Sequence, residues 1–310
     1  MIKKGIKAGT HVQTVEYDYG GDGKAHIIKL DKDRYINADS GVVGYFDHSA
    51  ETRADSQAWL KKTFANLCLL IDANIDTSIH GNYKNCRWVT LTYAANMTDE
   101  KRLYKDFKNF WLRFKYAFRD YSIEYIICVE PQMRGAWHMH AFFIFDRVAP
   151  YIDNHKLADL WGHGFVNIKA IAQGSNMGGY LRAYLTNLKL DVGKDKDMEV
   201  EGSQDRGRVE GVSALADSSP RVRVVAPTFS DKSIVKGARL YLYTKGMRIY
   251  RHSRGVKLPV KLNLKELVSV SSAKPTYTSS YTVTITTAKG CVENRIIRNY
   301  YDNLSFGDCQ

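Results

Sequence analysis

The segment that most constrains the fold is Glu130–Phe145, EPQMRGAWHMHAFFIF, in which two histidines interrupt an apolar and aromatic run. Strand side chains alternate between the two faces of a sheet, so His138 and His140 share a face if this run is a strand. Glu130 closes the preceding apolar run, YIICVE, eight positions before His138. A hairpin folded about Arg134 places Glu130 opposite His138, whereas a slip of one residue moves Glu130 to the other face. The sequence therefore predicts one hairpin with one particular register.

In that register the hairpin carries a candidate metal site. Two imidazoles and one carboxylate on one sheet surface form an open site with nitrogen and oxygen donors, which suits a divalent cation. Glu130, His138 and His140 are the predicted ligands, and the alternative is that the histidines are packed structural residues. The five cysteines are scattered without a C-x-x-C pair, which argues against a zinc knuckle or a disulfide framework and predicts reduced thiols.

The charge balance indicates the class of partner. The chain has a formal net charge of +12 and a pI near 9.3, an excess that attracts polyanions, of which nucleic acid is the usual one. The alternative is that the charge serves solubility alone. No apolar run approaches the roughly 18 residues that a membrane span needs, and the N-terminal lysines precede no apolar signal-peptide core. We therefore expect a cytoplasmic protein, bacterial or encoded by a plasmid or phage, without a membrane partner.

The order of predicted elements indicates the fold class. From residue 86 onward, apolar periodicity predicts strand, helix, strand, strand, helix, strand, helix. This is the split βαβ pattern of an α+β fold, a ferredoxin- or RRM-like antiparallel sheet with helices packed on one face. The predicted regions are an N-terminal strand and helix extension (1–80), the split βαβ unit (81–190), a polar flexible loop or linker (191–233) and a basic C-terminal region with hairpins (234–310).

A predicted helix at 49–75 belongs to the N-terminal extension. Its apolar residues recur at helical spacing and form a stripe that we expect to be buried: Trp59, Phe64, Leu67, Leu70 and Ile71.

The last helix of the βαβ unit carries Tyr180 and Tyr184, four residues apart and so on one helical face. The ordinary interpretation is that both are amphipathic packing residues. Beside a metal site, however, a phenol is a competent nucleophile, although its pKa near 10 means that it needs activation. A bound cation could polarise a phosphodiester and neutralise the charge of the transition state.

The C-terminal region is rich in Lys and Arg between residues 234 and 266, with tyrosines interleaved. Basic residues follow phosphates, and aromatic faces stack on unpaired bases, so this region is a candidate DNA-binding surface. An ordinary solvated hairpin face is the alternative. The predicted DNA-binding residues are Arg182, Lys189, Arg239, Arg248, Arg251 and Arg254, and the interleaved tyrosines are Tyr241, Tyr243 and Tyr250.

Together these motifs resemble those of the HUH endonucleases, specifically the rolling-circle replication initiators of plasmids, phages and small DNA viruses. WHMHAFFIF resembles their His-hydrophobe-His motif, and WVTLTYA is similar to their first motif. In geminivirus and circovirus initiators an acidic residue about eight positions before the first histidine completes the metal site, where Glu130 stands here. The helix with Tyr180 and Tyr184 is similar to the third motif, although the lysine that many members carry three positions after the tyrosine is replaced by Ala183 and Asn187.

The resemblance implies an HUH fold and a catalytic domain over residues 81–190. It further implies that Glu130, His138 and His140 hold Mg²⁺ or Mn²⁺ and that Tyr180 or Tyr184 attacks single-stranded or hairpin origin DNA. The products are a 5′-phosphotyrosine link and a 3′-OH primer, and a later transfer rejoins the strand. No G-x-x-x-x-G-K-[ST] loop is present, so a host helicase and polymerase are the expected partners.

Two other functions fit the same residues. A relaxase or single-strand transposase uses the same chemistry for strand transfer. A non-catalytic nucleic-acid-binding protein would use the sheet face and the basic region, with both histidines merely packed.

Overall fold

The described part of the chain, in a computed structural model, forms four antiparallel sheets and five α-helices. It comprises residues 2–18, 27–38, 40–49, 55, 57–132, 134–186, 188–191, 224–225, 232–235, 238–244, 246–287, 290–302 and 304. The helices are α1 (Gln57–Asp72), α2 (Glu100–Ala117), α3 (Asn154–Trp161), α4 (Met177–Thr186) and α5 (Leu264–Ser271). The strands are β1 (Ile2–Ala8), β2 (His11–Tyr17), β3 (Ile27–Lys29), β4 (Arg34–Asn37), β5 (Val43–Tyr45), β6 (Cys86–Thr92), β7 (Ile123–Pro131), β8 (Trp137–Phe145), β9 (Val166–Ala170), β10 (Leu188–Asp191), β11 (Val224–Val225), β12 (Lys232–Val235), β13 (Tyr250–His252), β14 (Val260–Lys261), β15 (Tyr277–Thr287) and β16 (Gly290–Asp302).

The central sheet has the strand order β13-β7-β8-β6-β9, with every neighbouring pair antiparallel. Its elements follow the predicted sequence of strand, helix, strand, strand, helix, strand and helix. Strand β8 lies between β6 and β7, which is the interleaving that defines a split βαβ unit. The predicted α+β fold with an antiparallel sheet is therefore confirmed.

Helix α2 covers the sheet face opposite to the histidines. Asp99 caps it by accepting hydrogen bonds from the amides of Lys101 and Arg102, so two orphan donors of the first turn are satisfied. The Phe114 ring stacks on Phe143 with centroids 4.5 Å apart. Phe143 lies an odd number of positions from His138 on the same strand and therefore points to the opposite face. Burying each such phenyl ring stabilises the fold by roughly 1.5–3 kcal/mol.

Helix α1 begins at Gln57, within the predicted helix, and buries most of the predicted stripe. Phe64 is 4% exposed and Leu67 is 1% exposed, but Trp59 is 54% exposed. The prediction of burial was wrong for Trp59, because this residue lies in the first turn of the helix, beside an open cleft rather than over the sheet.

A second sheet, in the order β14-β1-β2-β16-β15, joins strands from the two ends of the sequence. It has its own small core, made of Val12, Leu262, Val270 and Tyr301. Gly9 turns the chain between β1 and β2 with φ of 64°, and a Cβ there would lie 2.5 Å from the Asp72 carbonyl oxygen. Only glycine fits such a turn without strain.

The predicted linker at 191–233 lies almost wholly outside the described residues, and the four predicted domain boundaries stay predictions. At its edges, the short strands β10, β12 and β11 form a small sheet. No helix among the described residues has the length and apolar character needed to cross a membrane.

Candidate active site

The register of the β7–β8 hairpin is the predicted one. Glu130 pairs with His138, Cys128 pairs with His140, and Pro131 pairs with Trp137, so the hairpin is folded about Arg134. The Glu130 and His138 side chains point to the same face because directly opposed residues of an antiparallel pair share a face. The hairpin thus brings the carboxylate and both imidazoles onto one surface.

The Glu130 carboxylate is 5% exposed and has a partner on each oxygen. His140 Nε2 donates to Oε2 at 2.5 Å, and the Arg239 guanidinium pairs with Oε1. A buried charge without a partner is strongly unfavourable, so these two contacts stabilise the carboxylate in its ionised form. Arg239 also donates to the Pro131 carbonyl oxygen at 3.3 Å.

The two histidines differ in their hydrogen bonding. The Nδ1 atom of His140 lies 3.2 Å from the Thr90 hydroxyl, so both of its ring nitrogens have partners. The Nδ1 atom of His138 lies 3.4 Å from the Gln132 side-chain nitrogen. The Nε2 atom of His138, however, is buried and has no hydrogen-bond partner among the described residues. Such an atom is unusual in a native protein and indicates a missing ligand.

Both imidazoles are neutral at neutral pH. Burial lowers the pKa of His138 to about 4, with further lowering by the nearby charges of His140 and Arg134. Burial alone lowers the pKa of His140 to about 4. A neutral imidazole is the form that binds a metal, so neither residue must first release a proton.

The donor set fits a divalent ion, although the side chains do not surround one position as they stand. Among the described residues, no group of three His, Cys, Asp or Glu side chains is arranged to hold a metal. The reason is local: His140 bonds directly to Glu130, and Arg239 takes the other carboxylate oxygen. The buried Nε2 of His138 and the adjacent carboxylate are suitable donors, and an ion would bind between them after these contacts open.

The backbone of Tyr180 and Tyr184 lies in α4, whereas their side chains are outside the described residues. The neighbouring Leu181 and Leu185 are fully buried and fix the helix on the core. Gly178 lets α4 approach α1, because a Cβ at this position would lie 3.1 Å from Cys68 Cα. The distance from either phenol to the histidines stays a prediction.

Sequence reasoning missed the role of Tyr243. Its side chain is 0% exposed, and its hydroxyl donates to the Val129 carbonyl oxygen at 2.8 Å, with the Leu185 carbonyl oxygen at 3.3 Å. The prediction that Tyr243 belongs to a base-stacking surface was wrong, because a fully buried ring offers no face to a base. Val129 precedes Glu130, and Leu185 follows Tyr184, so one hydroxyl connects the ligand strand with the tyrosine helix.

The predicted DNA-binding residues fall in three groups. Arg239 lies against Glu130 and is only 16% exposed, and the Lys189 side chain is outside the described residues. The remaining four are exposed, namely Arg182, Arg248, Arg251 and Arg254. The Arg251 guanidinium lies over the Tyr104 ring at 3.3 Å, an arrangement that holds the charge in place. DNA binding by all six residues stays a prediction.

Comparison with known proteins gives one match. Residues 86–189, about a third of the chain, match the family described as Replication-associated protein ORF2. No curated protein and no solved structure gave a match. The matched segment begins at β6 and ends in β10, so it contains the hairpin and the tyrosine helix. Over this segment, the resemblance to Rep-type rolling-circle replication initiators is confirmed.

Proposed function

We propose that this protein is a rolling-circle replication initiator that nicks single-stranded origin DNA by tyrosine attack and later rejoins the strand. The observation that carries the proposal is the register of one hairpin, which sets Glu130 opposite His138 within the segment that matches a replication-associated family. The buried, partnerless Nε2 of His138 supports a ligand-binding role for this surface rather than a packing role.

Glu130, His138 and His140 would hold Mg²⁺ or Mn²⁺. Bound there, the ion would polarise the scissile phosphodiester and offset the negative charge that develops in the transition state. The low pKa values of the two histidines keep them available as neutral ligands.

Tyr180 or Tyr184 supplies the nucleophile. The phenol loses its proton and its oxygen bonds to phosphorus, while the bond from phosphorus to the 3′ oxygen breaks. The leaving 3′ oxygen takes up a proton and becomes the 3′-OH that primes synthesis. The 5′ side stays attached as a phosphotyrosine, and the second tyrosine or a 3′-OH reverses the transfer. Single-stranded or hairpin DNA is the substrate, and a host helicase and polymerase complete the replication reaction.

Two residues outside the matched segment support the geometry. Arg239 fixes the Glu130 carboxylate, and the Tyr243 hydroxyl joins the carbonyl oxygens of Val129 and Leu185. Positioning of this kind is worth a large share of a catalysed rate, since a 1 Å displacement costs as much as about 100-fold.

The test is covalent trapping. The purified chain is incubated with overlapping single-stranded oligonucleotides, labelled at their 3′ ends, and Mn²⁺, and the products are resolved on a denaturing gel. A labelled protein–DNA adduct is expected in the wild type and absent from His138→Ala and from Tyr180→Phe/Tyr184→Phe. An adduct that persists in the double tyrosine variant would show that another residue attacks. DNA binding without any adduct would favour a non-catalytic binding protein.

A further inference from the structure

A cleft of about 490 Å³ lies between α1 and the edge strand β13, outside the candidate active site. Its walls come from the first turns of α1, from β7 and from residues 247–252. The residues that matter for its chemistry are Trp59, Lys62, Arg248, Tyr250, Arg251 and His252.

The cleft combines positive charge with aromatic surface. Its lining includes Lys62, Arg248 and Arg251, and no Asp or Glu is among the lining residues. Lys62 and Arg248 are exposed, and Trp59 presents about half of its surface to solvent. A large exposed indole at the mouth of a basic cleft is costly to leave in water and suits stacking on a nucleobase.

The cleft is close to the candidate active site. Tyr250 of β13 pairs with Cys128 of β7, and Cys128 pairs with His140 of β8. Neighbouring strands lie about 4.8 Å apart, so two steps across the sheet separate Tyr250 from His140 by about 10 Å. A polynucleotide bound at the histidines therefore has the cleft within its reach.

We infer that this cleft binds a segment of single-stranded DNA, with a base stacked on Trp59 and the backbone phosphates paired with Lys62 and Arg248. Only an unpaired base exposes its face for such stacking, which distinguishes single strands from duplex. The connection to a cleaved phosphate rests on the proposed function, whereas binding at the cleft does not require cleavage.

The experiment measures binding without catalysis. Fluorescence anisotropy of a labelled oligothymidylate is titrated with the full chain in EDTA, at several salt concentrations. Trp59→Ala should weaken binding by about tenfold. Lys62→Ala and Arg248→Ala should each reduce the slope of log K against log salt by about 0.7. Trp59→Phe, which keeps an aromatic face, should restore most of the affinity and shows that the loss in Trp59→Ala is not misfolding.

Matched controls lie on α2, away from the cleft. Tyr116 is 74% exposed, and Lys115 is an exposed neighbour, so Tyr116→Ala and Lys115→Ala should leave affinity and salt slope unchanged. Equal effects in Trp59→Ala and Tyr116→Ala would overturn the inference. Equal binding of duplex, or tighter binding of an RNA of the same length, would also overturn it. The covalent trapping assay is scored separately, so a protein that binds at the cleft but forms no adduct refutes only the proposed cleavage.

Discussion

The β7–β8 hairpin and the segment 238–252 both build the candidate site, but the sequence encodes them in different ways. In the hairpin, the alternation of apolar residues and the turn around Arg134 determine which side chains meet, all within sixteen positions. In the second segment, Arg239 and Tyr243 meet residues more than a hundred positions earlier. The first region carries the ligands, and the second holds them in place.

This difference separates what relatives share from what this chain adds. The family match ends at residue 189, whereas Arg239 and Tyr243 lie beyond it. The matched segment therefore contains the candidate ligands and nucleophiles without the residues that anchor them here. Changes in the two regions should have distinct effects, and the following predictions test that distinction.

The largest effect is expected from Glu130→Gln. Loss of the carboxylate charge removes a candidate metal ligand and leaves the Arg239 guanidinium beside a neutral amide, so adduct formation should fall by more than about 100-fold. Mn²⁺ binding, measured by calorimetry, should be lost as well. Glu124→Gln, on the same face of the same strand six positions earlier, is the matched control and should retain both. Equal activity of the two variants would contradict the ligand assignment.

Tyr243→Phe should reduce the rate of adduct formation by about tenfold and leave Mn²⁺ affinity unchanged. The ring stays packed, but the hydroxyl that joins Val129 and Leu185 is lost, so the ligand strand and the tyrosine helix become misaligned. Amide hydrogen exchange in α4 should increase by the same cause. Tyr241→Phe, at an exposed position two residues earlier, is the control. Unchanged rate and exchange in Tyr243→Phe would remove the distinction between ligand and anchor.

Arg239→Gln should strengthen Mn²⁺ binding by a few-fold. The guanidinium shares the Glu130 carboxylate with any ion that binds there, so its removal raises the negative potential that attracts the ion. Calorimetry or paramagnetic resonance of bound Mn²⁺ measures the change. Arg254→Gln, at an exposed site, should leave the affinity at the wild-type value. Weaker ion binding in Arg239→Gln would mean that the guanidinium organises the site rather than competing for it.

The smallest effect concerns a third long-range contact, where α1 meets the terminal sheet. Burial raises the pKa of Asp72 to about 6, while His11 lowers it and Asp302 raises it. The folded state then binds more protons than the unfolded state between about pH 4 and pH 6, so stability falls as pH rises through this range. Asp72→Asn should increase the free energy of unfolding by about 1–2 kcal/mol at pH 7.5 and by little at pH 4. Urea melts at both pH values measure this, and an equal effect at both would refute the shift.

The sequence predicted the features that depend on local patterns. The register of Glu130 with His138, the Asp99 cap and the order of elements from β6 to α4 follow from periods of two and 3.6 and from turn residues. It did not predict that Arg239 reaches Glu130 or that Tyr243 is buried. Neither contact has a local signal, because choosing among distant partners depends on packing that no short window of residues contains. Trp59 failed for a related reason: helical spacing locates a stripe but not the point at which the core ends.

The pairing of β2 with β16 has a consequence for the order of synthesis. On the ribosome, β1 and β2 are made first, yet β2 gains its second neighbour only after nearly all of the chain has been translated. Until then β2 presents an open strand edge, which favours association with other chains. The β6–α4 unit has all its strand partners except β13 by residue 186 and is free to fold earlier. Premature termination before β16 should therefore yield an aggregation-prone product in which the hairpin with the histidines is already formed.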